Sequence, residues 1–264
     1  MEKSETRFTA KLMSGRLSSS LPTLKRVLYL LALTLLAEPA LSQGEALQDF
    51  KAVYRVEKFA SDIGLVTYQL KQEADQTHFS MRTKVSGLVA LFRDDRVAED
   101  SWLKQNDGRL QLQRYSYHQL GSKHNHNTEL SLLWSEDGTT GTAKGSHDGK
   151  PVSIAVASDV RDALSFQLSL MQHVASNSGL DFAVLSKAEL KHYAFKRVGK
   201  ETLEIASKEI ATTIVERQQD DRTTRLWLAD KLQYTPVKIE QFKDGESDTR
   251  MLINSLTLSG IQVL

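Results

Sequence analysis

Seven histidines in 264 residues are the first place to look for metal or acid–base chemistry. His124 and His126 are alternate residues with His118 close by, and alternate residues of a strand point to one face, so they could supply one side of a metal site. Glu129 is the only carboxylate close in sequence, however, and Gly121-Ser122-Lys123 with Asn125 and Asn127 reads as a wet hairpin tip; no metal ligand is assigned. The chain contains no G-x-S-x-G elbow, no H-E-x-x-H helix and no glycine loop able to cradle phosphate. A Ser-His-Asp triad assembled by the fold stays open on composition alone, but no catalytic residue and no cofactor is expected. The absence of cysteine excludes thiol catalysis and cysteine-held zinc or iron–sulfur centres.

The densest charge cluster, Arg93-Asp94-Asp95-Arg96 with Glu99 and Asp100, directly follows the apolar run from Leu88 to Phe92. It reads as a strand start with a solvated face, or as the salt-bridged rim of a pocket floored by Leu91 and Phe92. Aromatic residues fall at strand spacing: Tyr115 and Tyr117 share one face, Tyr193 and Phe195 another, and Trp102, Trp134 and Trp227 lie on separate strands, mostly as core. A barrel interior lined by such residues without being filled would accept an apolar ligand.

The elements that must position these groups are mostly strands. Phe50, Ala52, Tyr54 and Val56 alternate with Lys51, Arg55 and Glu57. Comparable alternation follows at Val66 to Leu70, at Phe79 to Val85, and at Ala98 and Trp102 against Glu99 and Ser101, as expected of strands with one dry and one wet face. Asp-Gly pairs at 107–108, 137–138, 148–149 and 244–245 supply the positive φ that tight hairpins require, so neighbouring strands should pair antiparallel. Later strands are expected over Lys191–Arg197, Thr202–Ile205, Ile210–Arg217, Arg222–Leu228, Val237–Phe242 and Arg250–Leu258. The fold class is therefore mainly β: a large antiparallel curled sheet, barrel or half-barrel, of roughly a dozen strands, with one embedded amphipathic helix. That helix is expected from Ser158 or Asp159 to about Asn177, capped by either of those residues and ended by Ser178-Gly179. Its apolar arc of roughly 200° at about 100° per residue includes Leu164, Leu168 and Met171, with Gln167 as the polar exception. A buried amide left unpaired costs on the order of 1 to 3 kcal/mol, so Gln167 should find a partner or line a cavity.

The first 42 residues read as an export signal. Lys25-Arg26 precedes a run of about ten apolar residues from Val27, half of the roughly 20 that a membrane span needs. Ala40-Leu41-Ser42 offers small residues for cleavage before Gln43; the long polar lead leaves Met1 or Met13 as the start. No cysteine follows to carry a lipid, so residues 43–264 are expected as one periplasmic, soluble β-rich domain with no transmembrane span after cleavage. The charge balance of 34 Lys+Arg to 33 Asp+Glu becomes 28 to 30 once the six basic and three acidic residues before Gln43 are removed. A near-neutral chain is not a nucleic-acid binder.

Several segments then become familiar: Gly87-Leu-Val-Ala-Leu-Phe-Arg-Asp-Asp-Arg96 leading to Glu99 and Ser101, Tyr115-Ser-Tyr117, Asp159-Val-Arg-Asp-Ala-Leu-Ser165-Phe166, Val198-Gly-Lys-Glu-Thr-Leu-Glu204, Thr224-Arg-Leu-Trp-Leu-Ala229 and Tyr234-Thr-Pro-Val-Lys-Ile-Glu240. From about Phe50 to Leu258 the chain resembles the exported bacterial proteins of the domain of unknown function 3108 family. The resemblance implies a periplasmic β-rich domain with one prominent helix and brings no catalytic residues. More loosely, the layout is similar to half-barrel carriers that move lipids or lipoproteins through the periplasm. The expected function is non-catalytic binding of a lipid or other apolar or amphipathic molecule by Leu91, Phe92, Leu164, Gln167, Leu168 and Met171. The alternative is an envelope scaffold or assembly factor that meets other envelope proteins through its surface or a sheet edge.

Overall fold

The computed structural model describes residues 47–264 apart from 60, 86–95, 107–108 and 122–124. Leu91 and Phe92 therefore lie outside the described residues, as do the proposed export signal and His124. The first eight strands are β1 (Phe50–Lys58), β2 (Ser61–Glu73), β3 (Gln76–Val85), β4 (Arg96–Asn106), β5 (Arg109–Leu120), β6 (His126–Trp134), β7 (Thr140–His147) and β8 (Lys150–Ala157). An insert follows: β9 (Arg161–Asp162), helix α1 (Phe166–Ala175), β10 (Asp181–Ser186) and β11 (Glu189–Ala194). The chain then returns through β12 (Lys196–Ile205), β13 (Lys208–Gln219), β14 (Arg222–Ala229), β15 (Pro236–Lys243), β16 (Glu246–Leu258) and the short β17 (Ile261–Gln262).

One large sheet runs in the order β12-β13-β14-β15-β16-β1-β2-β3-β4-β5-β6-β7-β8, with β17 added beside β16. Its ladders are antiparallel, and β1 meets β16 to join the two halves of the chain. Two of the Asp-Gly turns form as expected: Asp148 and Gly149 take φ of 50° and 76°, and Asp244 and Gly245 take 52° and 83°, in two-residue loops. The pair at 137–138 lies in a longer loop between β6 and β7 in which only Gly138 has positive φ, at 65°, and the pair at 107–108 lies outside the described residues. Among the described residues no hydrogen-bonded ladder joins β8 to β12. The segment between those two edge strands is the insert, which forms a separate small sheet in the order β11-β10-β9.

The core shows why the sheet must curl. Thirteen strands about 4.8 Å apart would span roughly 58 Å if flat, whereas a ten-residue helix is about 15 Å long. Yet one hydrophobic cluster joins Leu168 and Met171 of α1 to Val215 of β13, Leu256 of β16, Phe79 of β3 and Ala143 of β7. Only a sheet that wraps round the insert brings all of these together.

The helix is shorter than its apolar pattern suggests. Residues 158–165 form β9 and a turn, so neither Ser158 nor Asp159 caps it. Ser165 occupies the N-cap but makes no side-chain cap bond. Asp162 does that work from upstream: its Oδ1 accepts the N–H groups of Leu164 (2.8 Å) and Ser165 (2.7 Å) and the hydroxyl of Ser101 on β4 (2.8 Å). Its Oδ2 accepts the Ser165 hydroxyl at 2.9 Å. At the other end Asn177, at φ 53°, takes the left-handed position, and the Ser178 N–H reaches back to the His173 carbonyl at 2.9 Å. This is a Schellman ending with Asn in the position expected for Gly179. Residues such as Val160 and Leu164 are buried as the apolar arc requires, but from a strand and turn. The stretch expected as one strand over Lys191–Arg197 divides at Phe195 between β11 and β12.

Asp162 thus joins the insert to the sheet and starts the helix. Asp162→Ala, which leaves two hydroxyls and two buried N–H groups without their acceptor, is expected to lower unfolding stability in urea by about 3 kcal/mol or more. Asp162→Asn keeps one acceptor oxygen and should lose less.

Candidate functional site

Along β1 to β6 the inward residues stack in layers set by the strand register. At the end where β1 begins, Phe50, Leu70, Phe79, Leu103 and Leu112 are buried in a solid floor. The next layer up runs Ala52, Tyr68, Met81, Glu99, Tyr117 and Thr128 across five neighbouring pairings. Beyond it the walls become Val66, Thr83 and Val97, and then Val56, Gly64 and Val85. These six line an open cavity of ≈ 520 Å³, with Lys58, Phe59, Ser61, Ile63, Leu65 and Lys84 completing it. Phe59, at the β1–β2 turn, is 76% exposed at its rim. The volume lies within the roughly 300 to 1,000 Å³ of small-molecule sites. Gly64 is needed for this wall, because a Cβ there would stand 2.5 Å from the Lys84 carbonyl oxygen across the ladder.

The polar layer beneath the cavity is the chemically distinctive part. Glu99 is 7% exposed, and its Oε1 accepts the Tyr115 hydroxyl at 2.5 Å. The Gln167 amide opposes the effect of burial on the Tyr68 phenol, and Tyr117 donates to Gln119 at 2.8 Å. Burial, opposed by the Tyr115 bond and helped by the charges of Asp162 and Asp100, pushes the Glu99 carboxyl up to about 7. Burial also pushes the Tyr68 phenol up to about 12, and raises Tyr54 and Tyr115 further. Tyr54 nonetheless has a partner, donating to the Pro236 carbonyl at 2.6 Å. The layer holds hydroxyls, an amide and one carboxyl that is near balance between its two protonation states at neutral pH.

The alternation had put Glu99 and Ser101 on the wet face and Ala98 and Trp102 on the dry one. The structure reverses this: Glu99 and Ser101 point inward with Tyr115 and Tyr117, while Ala98 and Trp102 face outward. Trp102 is stabilised outside the sheet by stacking on His78, at 5.1 Å and 10°, and by the Arg114 guanidinium 4.6 Å from its ring. Asp100, also 7% exposed, is covered on that outer face by Arg82 (2.8 Å) and His78 (2.8 Å), so neither acid stands on a solvated surface.

The residues expected to bind ligand separate into groups. Leu164, Leu168 and Met171 are each 1% exposed within the core and are not among the residues that line the cavity. Gln167 is half-buried, is not among the residues that line the cavity, and acts on the Tyr68 phenol. The lining valines and Gly64 were not singled out, because a strand end that lines a space has the same alternation as one that fills it. His118 and His126 each contact an acid, Glu129 at 2.7 Å and Asp148 at 2.8 Å. Among the described residues no cluster of three metal-ligating side chains occurs.

A mainly β chain with one large antiparallel sheet round a helix has a counterpart of known structure. It is similar to a β-barrel-like protein of the domain of unknown function DUF1849 from Brucella abortus, at TM-score 0.54 and 10% identity over 80% of this chain and 98% of that one. That similarity concerns the fold alone. The chain belongs to the family described as protein of unknown function (DUF3108), which matches residues 50–252. No curated protein matches it.

Because folding raises the Glu99 carboxyl from its ordinary 4.5 to about 7, the folded state holds its proton more tightly than the unfolded chain does. Its contribution to stability is therefore greatest below pH 4.5, falls through the interval up to about 7, and is constant above. Urea unfolding from pH 4.5 to 8 should show Glu99→Gln lacking a decline of up to about 3 kcal/mol present in the wild type. Equal pH profiles for the two proteins would contradict the assignment.

Proposed function

We propose that the protein binds an apolar or amphipathic small molecule in the open end of its curled sheet and performs no chemistry on it. The observation that carries this reading is the cavity of ≈ 520 Å³ walled by Val56, Val66, Val85 and Val97 above a solid core. A space of this kind left to water would keep apolar wall atoms hydrated at about 25 cal/mol per Å², a cost that an apolar guest removes. The exposed ring of Phe59 at the rim extends the apolar surface outward. The location proposed for this activity is the periplasm, on the strength of Lys25-Arg26, the short apolar run from Val27 and the small residues at Ala40 and Ser42.

The purified protein is expected to bind the apolar fluorophore N-phenylnaphthylamine saturably, one per chain. Val56→Trp, which fills the cavity from a half-buried position, should weaken that binding about tenfold or more with the circular dichroism unchanged. Binding that does not saturate, or that survives the filled cavity, would remove the basis for the reading. For the location, Edman sequencing of protein from a periplasmic extract should begin at Gln43; an intact Met1 or Met13 terminus would speak against export with cleavage.

A further inference from the structure

Four acids are buried among the described residues: Glu99, Asp100, Asp162 and Glu240. Three are well compensated. Asp100 has Arg82 and His78, Glu240 has Arg250 (2.9 Å) and Lys238 (3.0 Å), and Asp162 accepts four hydrogen bonds. Glu99 has one described side-chain partner, the neutral hydroxyl of Tyr115, and no cation pairs with it among the described residues. It also stands at a particular place. Val97 lines the cavity, and Glu99 is the next inward residue of the same strand, about 7 Å further in at a rise of about 3.4 Å per residue. In the neighbouring pairings Val66 and Thr83 lead in the same way to Tyr68 and Met81. The apolar walls therefore end on a layer of two tyrosines and a carboxyl that has no counter-charge among the described residues.

Resting on the cavity reading, we propose that this floor receives the ammonium group of an amphipathic amine that enters head-first, with its alkyl chain left against the valine walls. Glu99 supplies the counter-charge, and Tyr68 and Tyr117, rings of a kind that attract cations, stand in the same layer. The lysines at the rim do not reverse this preference. Lys58 is half exposed and lies 3.6 Å from Asp248, and exposed charges of this kind are worth little beside a buried one. Binding an ammonium favours ionised Glu99, so a carboxyl near balance at pH 7 releases its proton as the amine binds.

The test compares decylamine, decanol and decanoate, which share one chain and differ in head group, by titration calorimetry at pH 7 in two buffers of different ionisation enthalpy. Decylamine is expected to bind about tenfold or more tighter than decanol and to release about half a proton. In Glu99→Gln its affinity should fall to that of decanol, with no proton released. Equal affinities in the wild type, a preference for decanoate, or an amine preference that survives in Glu99→Gln would overturn the inference and leave the apolar cavity standing. Failure of all three probes to bind would overturn both. Should Glu99→Gln not fold, the wild-type proton release decides: its absence overturns the inference.

Discussion

The interior of a very wide sheet has to be filled, and here one short insert does most of the filling. The insert offers ten helical residues and three small strands to cover the inner face of thirteen strands in continuous order. At one end this suffices: α1 packs with Phe50, Phe79, Leu103 and Leu256, and the last residues fold back so that Leu264 and Leu256 exchange backbone hydrogen bonds. Toward the other end the insert contributes less and the walls continue without it. The cavity follows from that mismatch in length between the strands and their filling.

Polar groups mark the boundary between the two halves. A carboxyl placed in the solid end would need full compensation, and Asp162 has it, from two hydroxyls and two backbone N–H groups. The same bonds start the helix and tie it to β4, so the filling is held in register with the sheet by one residue. Glu99 sits where the packing stops, with a single phenol as side-chain partner among the described residues, and burial brings it near balance between charged and neutral forms. The Gln167 amide and the Tyr68 phenol act on each other at the same level, where the helix carries a half-buried polar residue.

Much of this architecture was legible in the residues. Asp148-Gly149 and Asp244-Gly245 specify their turns because positive φ is costly for most other residues, and the alternation from Phe50 to Val56 or across Tyr115 and Tyr117 specifies which side is dry. The helix was legible as an apolar, deeply embedded segment but not in its start. Val160 and Leu164 fit a helical wheel equally well when they are buried from a strand and a turn, so periodicity alone extended α1 past Asp162. The orientation of β4 was misread for a related reason. Pattern assigns charge to the wet side, whereas the interior of this sheet contains a polar layer and its exterior covers Trp102 with His78 and Arg114.

By itself the sequence determined the mainly β class, the hairpin order, an embedded helix and the family, because local backbone preferences and a two-residue period act over a few neighbours at a time. The tertiary structure alone decided which inward residues are packed and which line a space, and which buried acid has no counter-charge among the described residues. Val56 and Phe50 belong to one alternating strand and are equivalent in pattern, yet Val56 lines the cavity and Phe50 lies in the core. The difference depends on how far the insert between β8 and β12 reaches across the sheet, a distance set by contacts between residues far apart in the chain.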